Sequence, residues 1–229
     1  MYFDATYLIL IPAILFSLWA QSQVKNTYAR YSKAFAGLTG EEAARMVLEM
    51  NGVTGVTIEP VAGELTDHFD PKTNVIRLSD SVYDSTSTAA IGVACHEAGH
   101  AVQYAQHYAP IKLRAAVIPA TNIGSKLAMP LILLGIVLSF LGEMSYFFVY
   151  LGIAAFGLSL VFQLITLPVE FNASRRAMAA IKDTNLLTPE EQRGARKTLS
   201  AAAMTYVAAL AVSVANLLRL ILSMNRRRD

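Results

Sequence analysis

His96 and His100 stand four residues apart with Glu97 beside the first, in the run His96-Glu97-Ala98-Gly99-His100. On a helix, positions four apart project from one face, so two imidazoles can meet a single divalent cation; imidazole nitrogens bind zinc at about 2.0–2.1 Å. Glu97 lies next to that pair, where its carboxylate can reach a water on the cation without ligating it, as a general base in metal-assisted hydrolysis must. Ala98 and Gly99 leave room for a close-packed neighbour. The three polar residues interrupt a small, apolar stretch, where a charge is costly unless paired or functional. A helix with two histidines on a solvated edge would lack that contrast.

A catalytic zinc needs a third protein ligand and one open position. His107 is two helical turns past His100, too far to share one ion, and His68 falls on an expected strand. Glu170 follows Pro168 in Glu170-Phe171-Asn172-Ala173-Ser174-Arg175-Arg176-Ala177. On a helix starting there, Glu170, Ser174 and Ala177 share a face, so Glu170 can ligate while Ser174 hydrogen-bonds a ligand. A helix-starting glutamate favoured by the macrodipole accounts for it equally well, and spacing leaves both open. Cys95 is the only cysteine, which excludes a disulfide framework and a thiolate cluster; it points away from the histidines, as core packing does. Nitrogen and carboxylate donors favour zinc.

These residues need elements to hold them. Thr39-Gly40-Glu41-Glu42 predicts a capping box and a helix to Met50, ended by Asn51-Gly52. Val56–Val61, Leu65–Phe69 and Val75–Leu78 read as a small antiparallel sheet, with turn residues Asp70-Pro71-Lys72-Thr73-Asn74 before the last strand. The histidine helix is expected from the Ser85–Thr88 cluster to about Gln106. Residues 170–199 read as two helical pieces, the second opened by Thr188-Pro189-Glu190-Glu191.

The chain of 229 residues is 54% hydrophobic and only 16% charged, with a mean hydropathy of +0.42. Soluble domains run near 45–50% apolar and about 25% charged, so both shifts point to a bilayer. Apolar runs at Tyr2–Ala20, Leu127–Gly142, Tyr146–Val169 and Ser200–Met224 approach the roughly 20 residues a span requires. The first lacks the basic start and small cleavage residues of a signal peptide and reads as a retained anchor. Lys25, Arg30, Lys33, Lys112, Arg114, Lys126, Arg175, Arg176, Arg196 and Lys197 all fall on one side if each run crosses once, which makes that side cytoplasmic. Asp4 and Glu143 fall opposite. The tail Arg226-Arg227-Arg228 contradicts this count, so the last run either crosses incompletely or is outvoted. A net charge of +2 without a basic, aromatic-laced stripe excludes a nucleic-acid partner.

The segments Thr66-Asp67-His68-Phe69-Asp70-Pro71, His96-Glu97-Ala98-Gly99-His100 and Glu170-Phe171-Asn172-Ala173-Ser174 together resemble the YugP-type neutral zinc metallopeptidases, a family related to the membrane gluzincins that include HtpX and the CAAX prenyl protease. The resemblance covers nearly the whole chain. It implies a zincin-like core, a Zn²⁺ cofactor and Glu170 as third ligand. HtpX-type enzymes carry Glu-x-x-x-Asp at that point; Ser174 stands where the aspartate would be, so a carboxylate role does not transfer. Relatives also dock substrate along an edge strand, a part Leu65–Leu78 could play here.

The fold expected is therefore a mainly α membrane protein: a zincin-like metalloprotease core with a small antiparallel sheet and about four transmembrane helices. Residues 1–20 form an anchor, 21–126 the catalytic region, 127–169 a membrane hairpin, 170–199 the third-ligand helix and connector, and 200–229 a membrane helix with a basic tail. The expected function is zinc-dependent endopeptidase action in membrane protein quality control or processing, on a protein or peptide substrate, in a multi-pass protein of the cell membrane. Glu97 is the expected base; His96, His100 and Glu170 the ligands; His68, Ser174 and Arg175 candidates to support a ligand or bind substrate, with Arg176 and Tyr206 further candidates beside the reacting carbonyl. The alternative is an inactive, metal-stabilised scaffold, against which an intact Glu97 argues. A transporter would carry charges mid-span, whereas here they cluster at the span ends.

Overall fold

The computed structural model describes residues 5–225; Asp4 and the arginines of the tail, on which part of the charge count rests, lie outside the described residues. Six α-helices dominate: α1 (Leu10–Tyr31), α2 (Gly40–Met50), α3 (Thr88–Ala105), α4 (Ala109–Val137), α5 (Glu143–Asp183) and α6 (Pro189–Asn225). Three short strands, β1 (Thr57–Val61), β2 (His68–Asp70) and β3 (Val75–Ser79), lie between α2 and α3. The protein is a mainly α membrane protein, and among the described residues four helices are long and apolar enough to cross a bilayer.

Helix ends follow local chemistry. Thr39 accepts from the backbone of Glu42 while the Glu42 carboxylate accepts from Thr39, a complete capping box. Asn51 closes α2, and Gly52 follows at φ +65°, which glycine adopts without strain. The Thr188 backbone donates to Glu191 at the start of α6. The long helices overrun the boundaries expected from hydropathy. Between Pro12 and Gly37 no glycine or proline interrupts α1, so it continues to Tyr31 instead of stopping at Ala20. Helix α4 begins at Ala109, well before Leu127. Helix α5 runs unbroken through Pro168 and Glu170, so Glu170 is a mid-helix residue and the macrodipole account of it falls. Pro168 withholds one N–H from the ladder and leaves the Leu164 carbonyl without its usual donor, which the helix tolerates. Helix α6 likewise passes through Ser200 without a break.

The sheet is mixed, not antiparallel. Its order is β1-β3-β2, with β1 parallel to β3 and β2 antiparallel to it. The expected turn at 70–74 does join β2 to β3, but β3 is inserted between its two predecessors. It is the strand whose Val75, Ile76, Leu78 and Ser79 are buried, so it takes the centre, while β1 and β2 are only partly covered. Leu65 sits at φ 56° and turns the chain ahead of β2, which is only three residues long.

The chain divides into two compact units: one of Met1–Trp19, Leu113–Leu167 and Thr205–Asp229, the other of Ala20–Lys112 and Pro168–Met204. In the first, α4 and α5 approach closely where glycines remove a side chain. A Cβ on Gly152 would stand 2.7 Å from the Ala128 carbonyl oxygen, and one on Gly124 2.9 Å from that of Ala155. Its outward surface is apolar: Val137 is 69% and Phe147 59% exposed, as lipid-facing residues are. In the second unit, Val47 and Leu48 of α2, Ile76 and Leu78 of β3, and Ile91 and Val102 of α3 are buried in one cluster that also takes in Ile181 and Leu199.

Candidate metal centre

Helix α3 starts at an N-cap, Ser87, whose hydroxyl accepts from the Ala90 backbone at 3.2 Å. Its next turns, from Thr88 through Ala94, carry small and branched residues that are almost all buried. The helix is locked by core packing on several sides, and its polar residues are held by that packing.

Gly99 is the point of closest approach to α5. A Cβ there would lie 2.8 Å from the Ala173 carbonyl oxygen, so the backbones of α3 and α5 touch with nothing between. Residues flanking the contact on each helix then meet. The Oε2 of Glu170 lies 3.2 Å from Nε2 of His96 and 3.5 Å from Nε2 of His100. The two imidazoles are nearly perpendicular, at 85° with centroids 4.7 Å apart. Donor atoms of His96, His100 and Glu170 all fall within 4.8 Å of one another.

This set fits zinc. Ligands at about 2.0–2.1 Å in a tetrahedron stand about 3.3–3.4 Å from each other, and the two nitrogen–oxygen distances, 3.2 and 3.5 Å, bracket that edge. Glu170 is 2% exposed, so a bare carboxylate there calls for a cationic partner.

The other ring nitrogens are also engaged. Nδ1 of His96 is 3.1 Å from Oγ of Ser174, the residue expected to support a ligand. Nδ1 of His100 is 3.0 Å from Oε1 of Gln103. Gln103 is wholly buried, and its Nε2 donates to the Val169 carbonyl at 2.8 Å and to Oδ1 of Asn172 at 2.9 Å. A carbonyl only accepts, so the amide of Gln103 faces α5 and its oxygen faces His100. His100 therefore carries a proton on Nδ1 and turns Nε2 toward Glu170, where it donates to the carboxylate when protonated and is free to ligate when not. Asn172 is oriented in turn by Arg176, whose Nε donates to the same Oδ1 at 2.7 Å while its Nη1 donates to Gln106 at 2.6 Å. Burial alone would depress the His100 imidazole, but hydrogen bonding to Glu170 and the charges of Glu97 and Glu170 outweigh it and raise its pKa above 6.5. The same negative field that holds a proton there suits a divalent cation.

Glu97 is 9% exposed, and among the described residues its carboxylate makes no hydrogen bond or ion pair. It is near enough to His100 to act on it electrostatically, yet no structural partner occupies it. Cys95 is buried, and burial pushes its thiol up to about 12, so it supplies no thiolate. His68 is exposed at the start of β2 with its Nδ1 on the Thr66 carbonyl at 2.8 Å, away from the cluster's hydrogen bonds. Arg175 is exposed and lines a cavity beside Ser174. Arg176 is committed to Asn172 and Gln106, Tyr206 belongs to the other unit, and His107 sits at φ 56° in the turn after α3. Sequence reasoning missed Gln103 and Asn172. Gln103 had a signal: it is polar, three residues past His100, on the face that carries both histidines.

Comparisons with known proteins place the whole chain in a zinc family. A family model described as "Putative neutral zinc metallopeptidase" matches residues 6–225. A protein of Bacillus subtilis (strain 168) named "Putative membrane protease YugP" is 47% identical over 221 residues, 96% of this chain and 96% of its own. No solved structure matches the chain. With the match spanning nearly all of the sequence, from the first helix to the last, the chain belongs to the neutral zinc metallopeptidase family that this model describes.

Proposed function

We propose that the protein is a zinc-dependent endopeptidase of the gluzincin type, with His96, His100 and Glu170 as metal ligands and Glu97 as general base. The observation that carries this reading is the convergence of two imidazole Nε2 atoms on one buried carboxylate oxygen, beside a second carboxylate with no structural partner. A structural site needs no such base, which weighs against an inactive scaffold.

Zinc, when bound, supplies Lewis acidity, bringing a water toward a pKa of about 7 and polarising the scissile carbonyl. Glu97 takes the water proton as the water oxygen adds to the carbonyl carbon, then delivers it to the departing amine nitrogen as the C–N bond breaks. Ser174 and Gln103 hold the imidazoles by their Nδ1 atoms, keeping both Nε2 lone pairs on the metal side. Burial of Glu170 keeps the carboxylate from swinging into water.

The charge distribution supports a cytoplasmic catalytic side: of the ten basic residues counted for it, Lys25, Arg30, Lys33, Lys112, Arg175, Arg176, Arg196 and Lys197 sit in the unit that carries the histidines, while Arg114 and Lys126 fall in the other unit. The apolar segments 1–20, 127–169 and 200–229 serve as membrane anchors in this reading. Substrates are then membrane proteins or proteins close to the membrane, in quality control or processing. The test compares casein or peptide cleavage by the purified protein and its Glu97→Gln variant in detergent with added Zn²⁺. Loss of cleavage with zinc retained is the expected result; equal cleavage by both ends the hydrolytic assignment.

A further inference from the structure

A cavity of about 560 Å³ opens on the Nδ1 side of His96, and Ser174 links it to the metal centre. One wall is a face of α5, with Phe171, Arg175 and Met178 at helical spacing around Ser174; the other is a face of α6 with Arg196, Leu199 and Met204. The lining is apolar except for two serines and these two arginines, and it contains no acidic side chain. Among the described residues Arg175 and Arg196 make no hydrogen bond or ion pair. Their neighbour Arg176 shows the contrast, since its guanidinium is spent on Asn172 and Gln106. Phe171, 42% exposed, leaves an apolar ring at the same cavity. An occupant that satisfies all of this offers an apolar group to the walls and a negative charge to the arginines, and it reaches Ser174, whose hydroxyl holds His96.

We propose that this cavity is a substrate-binding subsite flanking the metal centre, and that it selects an internal apolar residue beside an acidic one. This rests on the hydrolytic reading above for the word substrate, but the recognition itself does not need turnover. Arginine forms paired, planar hydrogen bonds with a carboxylate, so Arg175 and Arg196 are specificity-determining residues, not catalytic ones.

The experiment uses the full-length Glu97→Gln protein in detergent micelles and measures fluorescence anisotropy of labelled, C-terminally amidated peptides carrying Leu-Asp, Leu-Asn or Leu-Lys. The expected result is binding of the Leu-Asp peptide about tenfold tighter than its Leu-Asn twin, as solvated guanidinium–carboxylate pairs permit. Arg175→Ala with Arg196→Ala should erase that difference. Arg175→Glu with Arg196→Glu should turn the preference toward Leu-Lys, an outcome misfolding cannot imitate. Equal affinity for all three peptides, or a preference that survives loss of both arginines, overturns the proposal. So does binding only by peptides with a free C-terminus, or arginine-dependent binding of phosphatidylglycerol in the micelle with none of peptide. Wild-type protein that binds Leu-Asp selectively but cleaves nothing refutes hydrolysis and leaves the cavity's selectivity standing; cleavage without regard to acidic residues refutes the cavity alone.

Discussion

Two helix contacts in this protein use the same device for different ends. At Gly124 and Gly152 the backbone of α5 meets that of α4, and at Gly99 the backbone of α3 meets α5. In each, a Cβ would lie under 3.0 Å from a carbonyl oxygen. Around the first contacts stand Ala128, Ile132 and Ala155, so close approach yields dispersion and nothing else. Around Gly99 stand His96, His100, Glu170 and Ser174, and the same approach brings short polar side chains into mutual reach. Small residues make the contact; what the neighbouring turns carry decides whether it is only adhesive or also chemical.

The sharpest way to break this contrast is Glu97→Gln, which should lower turnover by about 10²–10⁴-fold, the usual worth of a positioned base, while metal analysis still finds zinc. Zinc loss in that variant would make Glu97 a ligand and undo the division of roles. Glu170→Ala comes next. It removes one of three donors, so bound zinc, measured by elemental analysis after dialysis, should fall below detection where the parent keeps one ion. Gln103→Leu should weaken zinc affinity by about 10–100-fold in a competitive chelator titration, because His100 loses the partner that sets its tautomer. An unchanged affinity would reduce the buried amide to a packing role.

Acidity should act on the metal in a definite direction. The pKa of His100 is raised above 6.5 in the metal-free site. In the apo protein, the stabilisation gained from protonated His100 is complete below about 6.5 and disappears as pH rises through the raised value. Zinc must displace that proton, so its affinity should climb with pH by about tenfold per unit below the raised pKa and level off above it. A pH-independent affinity from 6 to 8 would contradict the coupling.

The smallest effect compares the contacts directly. Gly152→Ala should cost about 1–3 kcal/mol in stability, read as thermal unfolding in detergent, with zinc affinity untouched. Gly99→Ala should cost as much stability and also weaken zinc, because it pushes α5 and Glu170 away. If zinc affinity survives Gly99→Ala, the close approach does not set the ligand geometry.

Much of this was legible beforehand. The histidine spacing, the capping boxes at Thr39 and Thr188, and the four apolar runs each depend on residues within about one or two helical turns, where propensity and periodicity speak directly. Boundaries of the long helices were not, because hydropathy marks where the bilayer ends and only glycine, proline or a cap marks where a helix ends. The sheet was misread for a related reason: turn residues at 70–74 reveal which strands are joined, while burial of β3 decides which strand lies between the other two.

By itself the amino-acid order determined the donor types, the one-turn separation of the imidazoles and the membrane class of the chain, all of which are local properties. Tertiary structure alone decided that Glu170 meets both rings, that Gln103 orients His100, and that Arg175 faces a cavity while Arg176 is bound. The contacts behind them, Glu170 with His96, Gln103 with Val169 and Arg176 with Gln106, join residues 74, 66 and 70 positions apart, and no local rule reports which faces of two helices meet; here the absence of a side chain at Gly99 lets α3 and α5 pair on the faces that bear the donors.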